Sequence, residues 1–309
     1  MRFQERDGAI LWAIYEYDGV LARRHLKRMF WPDATLRALQ KRLAKLVNND
    51  YLARPTIHQR KTQPIPEPVY WLDWKGIIWV AGQNNVAVSP PANMGENQMR
   101  RLAKQLRDQG IRWVREPRWL QLAHDLAVVD FRLAVEKAVS ELPTLSLEEW
   151  RHESEFRSVG ETIEYKIRGE DGMVKQVKKR VYPDSYFVVV DKQRLAQGLL
   201  ARARFLLELD NATHPNNRFG REKVAPGLAY IKSPEYKARF GDNSGRWLVV
   251  TTGRIRVRNL MRQTQQADRT GARIFLFTTF DQLKTGNILT EPVWWQVGRE
   301  EPIPLLAGD

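Results

Sequence analysis

The 309-residue sequence contains no cysteine, which excludes disulfides, thiolate zinc sites and cysteine nucleophiles. No apolar run approaches the roughly 20 residues that a membrane-spanning helix needs. The first residues, MRFQERDG, are charged and lack the apolar core of a signal peptide. We therefore expect a cytoplasmic protein that does not enter a membrane.

Several nucleotide-binding and metal-binding motifs are also missing. The sequence has no GxxxxGKS or GxxxxGKT segment, so a P-loop ATPase is not expected. Its five histidines include no His-x-x-x-His pair and no pair flanking one hydrophobic residue. The histidine-cradled metal site of common relaxases is therefore absent.

Acidic residues are outnumbered by basic ones: 36 Asp and Glu stand against 50 Lys and Arg, for a formal net charge of +14. Residues 1–62 hold 13 of the cations and six of the acids, so half of the excess lies in one fifth of the chain. This charge indicates a polyanionic partner, namely DNA, RNA or an anionic membrane surface. A generally solubilising surface is the alternative, but the enrichment coincides with a structural motif.

The chain is long enough for two domains of about 100–200 residues, and 43% of it is hydrophobic. We expect a DNA-binding domain over 1–82, a linker and basic helix over 83–110, and a second domain over 111–309. Residues 83–98 are rich in Asn, Pro and Gly, as linkers are. The basic helix, over Met99–Gln109, would follow a DNA backbone or serve as an exposed spacer.

The first domain has a pattern typical of three short helices. A first helix ends at Asp18-Gly19 and a second covers Leu21–Phe30. Asp33 is the expected N-cap of the third helix, with Ala34 and Thr35 opening it. Apolar residues at spacings of three and four predict the buried face of that helix: Leu36, Leu39, Leu43 and Leu46.

The opposite face of the third helix is basic. Arg37, Lys41 and Lys45 recur every four residues, with Gln40 beside them, and would repel one another by a few tenths of a kcal/mol per pair. Phosphates and guanine edges of duplex DNA would relieve that repulsion. We therefore predict that these four side chains bind DNA. An ordinary solvated face is the alternative.

A hairpin follows the third helix. Its strands are Tyr51–Arg54 and Pro68–Leu72, and the polar loop between them carries Arg60 and Lys61, which we also expect at DNA. An apolar helix over Trp74–Ala81 closes the domain. This order predicts a winged helix-turn-helix, whose third helix enters the major groove. The same elements also build winged domains that bind proteins.

The second domain is predicted to be an α/β sandwich. Together with the winged helix-turn-helix, this puts the whole chain in the α+β or α/β class. Its predicted elements are helices over Arg118–Leu142, Arg221–Ile231 and Arg256–Ala267, strands over Trp150–Arg157, Tyr186–Val190, Trp247–Thr251 and Ile274–Phe277, and a hairpin around Gly169-Glu170-Asp171-Gly172. Arg254 and Arg256, at the start of a helix, suit phosphate or form a solvated face. The run Lys175, Lys178, Lys179 and Arg180 gives the same two alternatives.

Acidic residues at strand ends are the candidates for catalysis. Pro183-Asp184 precedes one apolar strand, and Glu208-Leu209-Asp210 ends another. Side chains two apart on a strand share a face, so Glu208 and Asp210 would converge with Asp184 on one cation, Mg²⁺ or Mn²⁺. Such a metal would polarise a phosphodiester and activate water. The alternative is a set of exposed acids that end a strand.

This pattern resembles the PD-(D/E)XK nuclease superfamily at Pro183, Asp184 and Glu208. That fold has a helix, a mixed sheet and a Pro-Asp followed by an acid-x-lysine strand. The resemblance implies a restriction-endonuclease-like αβ sandwich and a metal-dependent DNA endonuclease. Asp210 stands where the family has its lysine, and Lys223, on the next helix, is the candidate replacement. If Lys223 does not reach the site, the domain is expected to be degenerate. Glu153 or Glu155 would complete the metal shell.

Over nearly its full length the chain also resembles the replication-relaxation family of plasmid and mobile-element proteins. The segments that carry the resemblance are Tyr70-Trp71-Leu72, Leu122-Ala123-His124-Asp125-Leu126-Ala127-Val128, Pro183-Asp184 and Phe205-Leu206-Leu207-Glu208-Leu209-Asp210. The resemblance implies a role in plasmid replication, DNA relaxation or related DNA processing. The implied partners are double-stranded DNA and other replication or mobilisation proteins.

Two other functions stay open at this point. The first is a non-catalytic winged-helix transcriptional regulator or replication initiator, whose second domain binds a protein or a ligand. The second is an RNA-binding protein, which the charge alone permits. The arrangement of Asp184, Glu208, Asp210 and Lys223 distinguishes the enzyme from the regulator, because a nuclease needs these side chains at one site.

Overall fold

The computed structural model describes residues 1–91, 95–168, 173–213 and 215–306. The chain is of mixed α+β class and forms two compact units, Met1–Asp130 and Phe131–Asp309. The turn predicted at residues 169–172 lies outside the described residues. None of the helices in the described part of the chain is long and apolar enough to cross a membrane.

The first unit consists of helices around a small sheet. Its elements are α1 (Glu5–Glu16), β1 (Val20–Ala22), α2 (Arg23–Phe30), α3 (Leu36–Asn48), β2 (Leu52–Ala53), α4 (Ile57–Thr62), β3 (Val69–Leu72), α5 (Trp74–Gln83) and α6 (Glu96–Asp108). The strand β3 lies between β1 and β2 and pairs with both in antiparallel register. Helix α1 packs against α5 and β3. Strands as short as these depend on the helices beside them for a core.

Helix α3 buries three of the four leucines that the sequence predicts. Leu39, Leu43 and Leu46 are fully buried, whereas Leu36 is 44% exposed. The helix starts later than expected because Thr35, and not Asp33, is its N-cap, with Oγ1 accepting the N–H of Ala38. Leu36 is then the first helical residue, beyond the buried stripe.

Two other elements of the first unit differ from the sequence-based expectation. Residues Val20–Ala22 form β1 and not the start of α2, because they pair with Val69–Trp71 of β3. Asp18 (φ 64°) and Gly19 (φ 94°) turn the chain into this strand. The loop predicted around Arg60 and Lys61 contains the short helix α4, whose N-cap Thr56 accepts the N–H of Gln59.

The second unit is built on a mixed sheet. Helix α7 (Leu122–Ser140) contains the boundary between the units. The elements after it are β4 (Leu145–His152), α8 (Glu153–Val159), β5 (Thr162–Arg168), β6 (Val174–Arg180), β7 (Ser185–Asp191), α9 (Lys192–Ala196), β8 (Arg202–Asp210), α10 (Ala225–Lys232), α11 (Pro234–Phe240), β9 (Arg246–Thr251), α12 (Arg254–Ala267), β10 (Phe275–Thr279) and β11 (Trp295–Gln296). The sheet order is β4-β7-β8-β9-β10-β11; β8, β9 and β10 are parallel, and the other neighbours are antiparallel. Strands β5 and β6 form a separate antiparallel hairpin.

Both faces of this sheet are covered, as its apolar central strands require. On one face, Phe131 of α7 packs against Trp150 and Phe187. On the other face, side chains of α10 and α12 join the core that includes Tyr186, Leu206 and Val249. This core, on the face covered by α10 and α12, extends to the start of β7 and the end of β8, where Asp184 and Glu208 lie.

The strand predicted at Trp150–Arg157 is displaced towards the N-terminus. It ends at His152, and helix α8 begins at Glu153. Glu155 accepts the backbone N–H of His152 at 3.0 Å, an arrangement that stabilises a helix start. Glu153 and Glu155 therefore lie on a helix and not on the strand where the sequence pattern put them.

Candidate functional site

A pocket of about 260 Å³ lies in the second unit, beside the start of β7 and the end of β8. Phe219, Val249 and Phe275 give it an apolar wall that is continuous with the core. Its acidic lining residues are Glu153, Asp184, Glu208 and Glu222. The pocket thus places carboxylates against an apolar background, where electrostatic interactions are stronger than in water.

Asp184 and Glu208 are neighbours across two strands. The antiparallel register ends at the pair Ser185 and Leu207, and Asp184 and Glu208 are the residues beside that pair. Two hydrogen bonds hold Asp184 against β8: its N–H donates to the Leu207 carbonyl (2.9 Å), and its Oδ2 accepts the N–H of Leu209 (2.6 Å). Both acids line the pocket and are only 7% and 8% exposed.

Lys223 lines the same pocket and pairs with one of the two carboxylates. Its Nζ lies 2.5 Å from Oε1 of Glu208. Burial opposes the ammonium charge, but the carboxylates of Glu208 and Asp184 outweigh burial and raise the pKa of Lys223. The side chain is therefore a cation at neutral pH. It can neutralise charge on a phosphate oxygen, but it cannot act as the base that takes a proton from water.

A π-helical turn over Gly220–Val224 carries Lys223 and leads directly into α10. Such turns are rare in proteins, and those that occur are often found at functional sites. Gly220 lies so close to α12 that a Cβ atom there would be 3.0 Å from the Gln263 carbonyl oxygen. The close approach fixes the turn against α12 and leaves Lys223 directed at the end of β8.

Asp210 is not brought to this pair, although it shares a strand face with Glu208. Arg256 Nε and Nη2 donate to its two carboxylate oxygens at 2.7 and 2.9 Å, and Thr251 Oγ1 donates at 2.7 Å. In the described residues, no group of three His, Cys, Asp or Glu side chains is arranged to hold a metal ion. Of the four pocket carboxylates, Asp184 and Glu208 are the two that the sequence predicts as cation ligands. Glu153 pairs with Arg157, and Glu222 lies 3.6 Å from Arg221.

The side chains predicted to bind DNA from α3 lie together on its exposed face. Arg37, Gln40, Lys41 and Lys45 are all exposed, opposite the buried leucines. Within the described ranges, no ion pair or hydrogen bond engages these four side chains. Arg60 and Lys61 are likewise exposed, on α4. The first unit therefore presents unneutralised cations on two of its helices.

The two arginines predicted at the start of α12 have different environments. Arg254 is exposed, with its guanidinium carbon 5.4 Å from the centre of the Trp295 ring. Arg256 is committed to Asp210 and to the side-chain oxygen of Asn216. Arg254 is thus open to a ligand, whereas Arg256 serves the internal structure of the unit.

The environments of Lys179 and Tyr230 did not follow from the sequence. Lys179 lines the pocket, and only the fold separates it from the neighbouring lysines of its strand. Tyr230, on α10, is 1% exposed and donates its hydroxyl to Glu161 Oε2 at 3.0 Å. Burial and the Glu161 carboxylate raise the pKa of Tyr230, so this hydroxyl stays protonated and has a structural role.

Comparisons with known proteins identify the family of the chain. The comparison with curated proteins gave no match. The model of one protein family, described as replication-relaxation, matches residues 13–236, which is more than two thirds of the chain and includes Asp184, Glu208 and Lys223. The chain therefore belongs to the replication-relaxation family, which indicates a role in plasmid or mobile-element replication or related DNA processing.

Proposed function

We propose that this protein binds duplex DNA through a winged helix in its first unit and cleaves phosphodiesters in its second unit with Mg²⁺ or Mn²⁺. The observation that carries the proposal is the meeting of Asp184, Glu208 and Lys223 at one pocket. Asp184 and Glu208 stand at positions that the PD-(D/E)XK resemblance implies, and Lys223 is the candidate replacement for the lysine of that family. Asp184 follows a proline before one strand, Glu208 lies on the next strand, and Lys223 follows in the next helical segment.

The architecture of the second unit supports a nuclease-like domain. A long helix, α7, precedes a mixed sheet whose strands β4, β7 and β8 are successive neighbours, apart from the β5–β6 hairpin inserted between β4 and β7. Helical segments and then a parallel strand, β9, follow. This succession agrees with the helix and mixed sheet of the nuclease-like fold, and the activity is argued from the side chains at the pocket.

The donor set at the pocket fits a cation that is bound together with the substrate. Mg²⁺ usually keeps several waters and takes one or two carboxylates plus substrate phosphates. Asp184 and Glu208 would supply these carboxylates. The ion, when bound, would polarise a phosphodiester and activate water. Lys223, which stays protonated, would neutralise the negative charge that develops on the phosphate during cleavage.

Winged-helix DNA binding is supported by the order of elements in the first unit. Helices α1, α2 and α3 precede the β2–β3 hairpin, and β1 adds a third strand to it. In such domains the third helix enters the major groove. Here that helix is α3, which exposes Arg37, Gln40, Lys41 and Lys45. Arg60 and Lys61 of α4 would contact the adjacent backbone.

Nicking of supercoiled plasmid by the full-length protein tests the proposed reaction. We expect nicking with Mg²⁺ or Mn²⁺ and none with EDTA. Asp184→Asn and Glu208→Gln should lower the rate at least a hundredfold, and Lys223→Met about as much. The matched control is Asp191→Asn at the other end of β7, where the carboxylate caps α9. Asparagine caps helices as well as aspartate does, so this variant should nick normally.

A non-catalytic regulator or replication initiator is the alternative function, and one observation favours it. Lys223 already neutralises Glu208, so the pocket can be stable without a metal. Under this alternative the wild-type protein binds duplex DNA but leaves plasmid intact with every metal. Equal nicking by wild type and Asp184→Asn would have the same meaning, because the activity would then come from a contaminant.

A further inference from the structure

Lys178 and Lys179 are adjacent on β6 but lie in different environments. Lys178 is exposed, and its Nζ pairs with Glu164 Oε1 at 2.5 Å. Lys179 is half-buried and lines the pocket, where its Nζ donates to the backbone carbonyl of Glu222 at 2.6 Å. Alternate residues of a strand point to opposite sides. The hairpin therefore directs Lys179, and not Lys178, towards Asp184 and Glu208.

The ammonium group of Lys179 has capacity for a further ligand. It carries three donors, and the carbonyl of Glu222 accepts from it. Within the described residues, no carboxylate oxygen lies within ion-pair distance of it. The other pocket cations differ in this respect: Lys223 pairs with Glu208, and Arg157 pairs with Glu153 and stacks on Tyr182. Arg180 also lines the pocket, but its side chain is exposed, and an exposed contact is weaker.

A neighbouring cation acts on Lys179. Burial lowers the pKa of Lys179, the nearby ammonium of Lys223 lowers it further, and the carboxylates of Glu222 and Glu208 oppose both effects in part. Two ammonium groups that share a pocket repel each other, and an anion between them would remove that repulsion. A phosphate group supplies such a charge and accepts several hydrogen bonds.

We propose that Lys179 binds a non-bridging oxygen of a DNA phosphodiester and so positions that phosphate beside Asp184 and Glu208. This rests on the proposed function, because it requires DNA to enter the pocket. Lys179 is a positioning residue in this scheme: its hydrogen bond to the Glu222 carbonyl fixes the ammonium, and its remaining donors hold the phosphate. It forms and breaks no covalent bond. The contact exists both before and during cleavage, so it contributes to binding of the substrate.

Nicking kinetics of the full-length protein give the first test. Lys179→Met should raise KM for plasmid roughly tenfold or more, the effect of losing one charge-assisted hydrogen bond. It should change kcat little, because the contact stabilises ground state and transition state alike. Lys179→Arg, which keeps the charge and the donors, should restore most of the affinity. Lys178→Met on the same strand should behave as wild type. Equal kinetics of the two methionine variants would overturn the inference and leave the proposed nuclease intact.

A second test does not depend on cleavage. The full-length protein is treated with an acetylating reagent in EDTA, with and without plasmid DNA, and lysine acetylation is measured by mass spectrometry. DNA should protect Lys179 severalfold and leave Lys178 unchanged. If wild type fails to nick, the proposed nuclease is wrong and this measurement alone decides on Lys179. Protection would then support a phosphate contact without catalysis, and equal acetylation with and without DNA would refute it.

Discussion

Arg256 holds both carboxylate oxygens of Asp210, with Nε 2.7 Å from Oδ2 and Nη2 2.9 Å from Oδ1. The two side chains are 14% and 11% exposed, so water screens the pair weakly. A bidentate arginine–carboxylate pair is among the stronger polar contacts in proteins. It ties the end of β8, which carries Glu208, to the first turn of α12. The carboxylate oxygens of Asp210 are thereby engaged by Arg256 and Thr251, and the pair fixes the backbone at the end of β8.

We predict that Asp210→Asn lowers the free energy of unfolding by roughly 1.5–3 kcal/mol, because Arg256 loses a charged partner in a nearly buried position. Urea denaturation of the full chain measures this. Asp281→Asn is the control, since Asp281 is 84% exposed and pairs with an exposed lysine, Lys284. That variant should unfold as the wild type does.

The outcome for nicking separates a supporting role of Asp210 from metal ligation. With a supporting role, Asp210→Asn nicks more slowly at most in proportion to its unfolded fraction, and its requirement for Mg²⁺ is unchanged. A stable variant that needs far more Mg²⁺ would show instead that Asp210 ligates the cation.

Local sequence patterns were sufficient to predict that Asp184 and Glu208 lie together but not to predict the partner of Asp210. The two pocket acids follow from strand ends and from Pro-Asp, which are short-range signals. The partners of Asp210 are set by Arg256, 46 residues later, and by the parallel register that places Asp210 beside Thr251. Alternation along β8 predicts the face on which Asp210 lies. Its hydrogen-bond partners depend on tertiary structure, which a local pattern does not predict.

Helix boundaries show the same limitation on a smaller scale. Asp33 and Thr35 are both good N-caps, and the sequence does not decide between them. The structure uses Thr35, which makes Leu36 the first residue of α3 and leaves it partly exposed. Burial of the leucines further along the helix was predicted correctly. Three periodic apolar positions define the buried face of a helix more reliably than a single capping residue defines its first residue.

The difference along α3 yields a second prediction. Leu43→Ala should cost about 2–5 kcal/mol in the free energy of unfolding, because Leu43 is fully buried and truncation leaves a cavity. Leu36→Ala should cost less than about 1 kcal/mol, since its side chain is 44% exposed. Urea unfolding of both variants under identical conditions provides the comparison. Similar losses would mean that Leu36 packs in the core, as the sequence pattern alone predicts.

His25 gives the first unit a titratable group in its interior. The ring is 1% exposed; Nδ1 accepts the N–H of Ala22 at 3.2 Å, and Nε2 lies 2.9 Å from Asp130 Oδ1. Because Nδ1 accepts, the proton of the neutral ring is on Nε2, which donates to Asp130. Burial lowers the pKa of His25, and this outweighs the opposing effect of Asp130.

The third prediction follows from that shift. The folded pKa lies below the ordinary value of 6.5, so the unfolded chain binds the proton first as the pH falls. The stability that the neutral ring contributes is therefore complete above pH 6.5 and is lost as the pH falls towards the folded pKa. Its slope is at most about 1.4 kcal/mol per pH unit. His25→Gln should remove this component from unfolding curves between pH 7.5 and 5.5. His58→Gln, on exposed α4, should keep it.

The fourth prediction concerns the exposed face of α3. Lys41→Ala should weaken binding to a DNA duplex and lower the slope of log K against log salt by about one unit, because one phosphate contact releases about one counterion. Fluorescence anisotropy between 50 and 200 mM salt measures both quantities. Lys75→Ala on α5 is the control within the same unit, since Lys75 already pairs with Asp50 at 3.1 Å.

The pattern of results across probes identifies the contact. If α3 enters the major groove, Arg37→Ala and Lys41→Ala weaken duplex binding, while Lys75→Ala leaves affinity and slope unchanged. The deep, narrow major groove of RNA does not admit a helix, so a protein that places α3 in a major groove should prefer duplex DNA. A structured RNA that competes as well as duplex DNA would instead support an RNA-binding protein. Unchanged affinity in both α3 variants would mean that the charge of this unit binds DNA through another surface, and α6, with exposed Arg101, Lys104 and Arg107, would be the next to substitute.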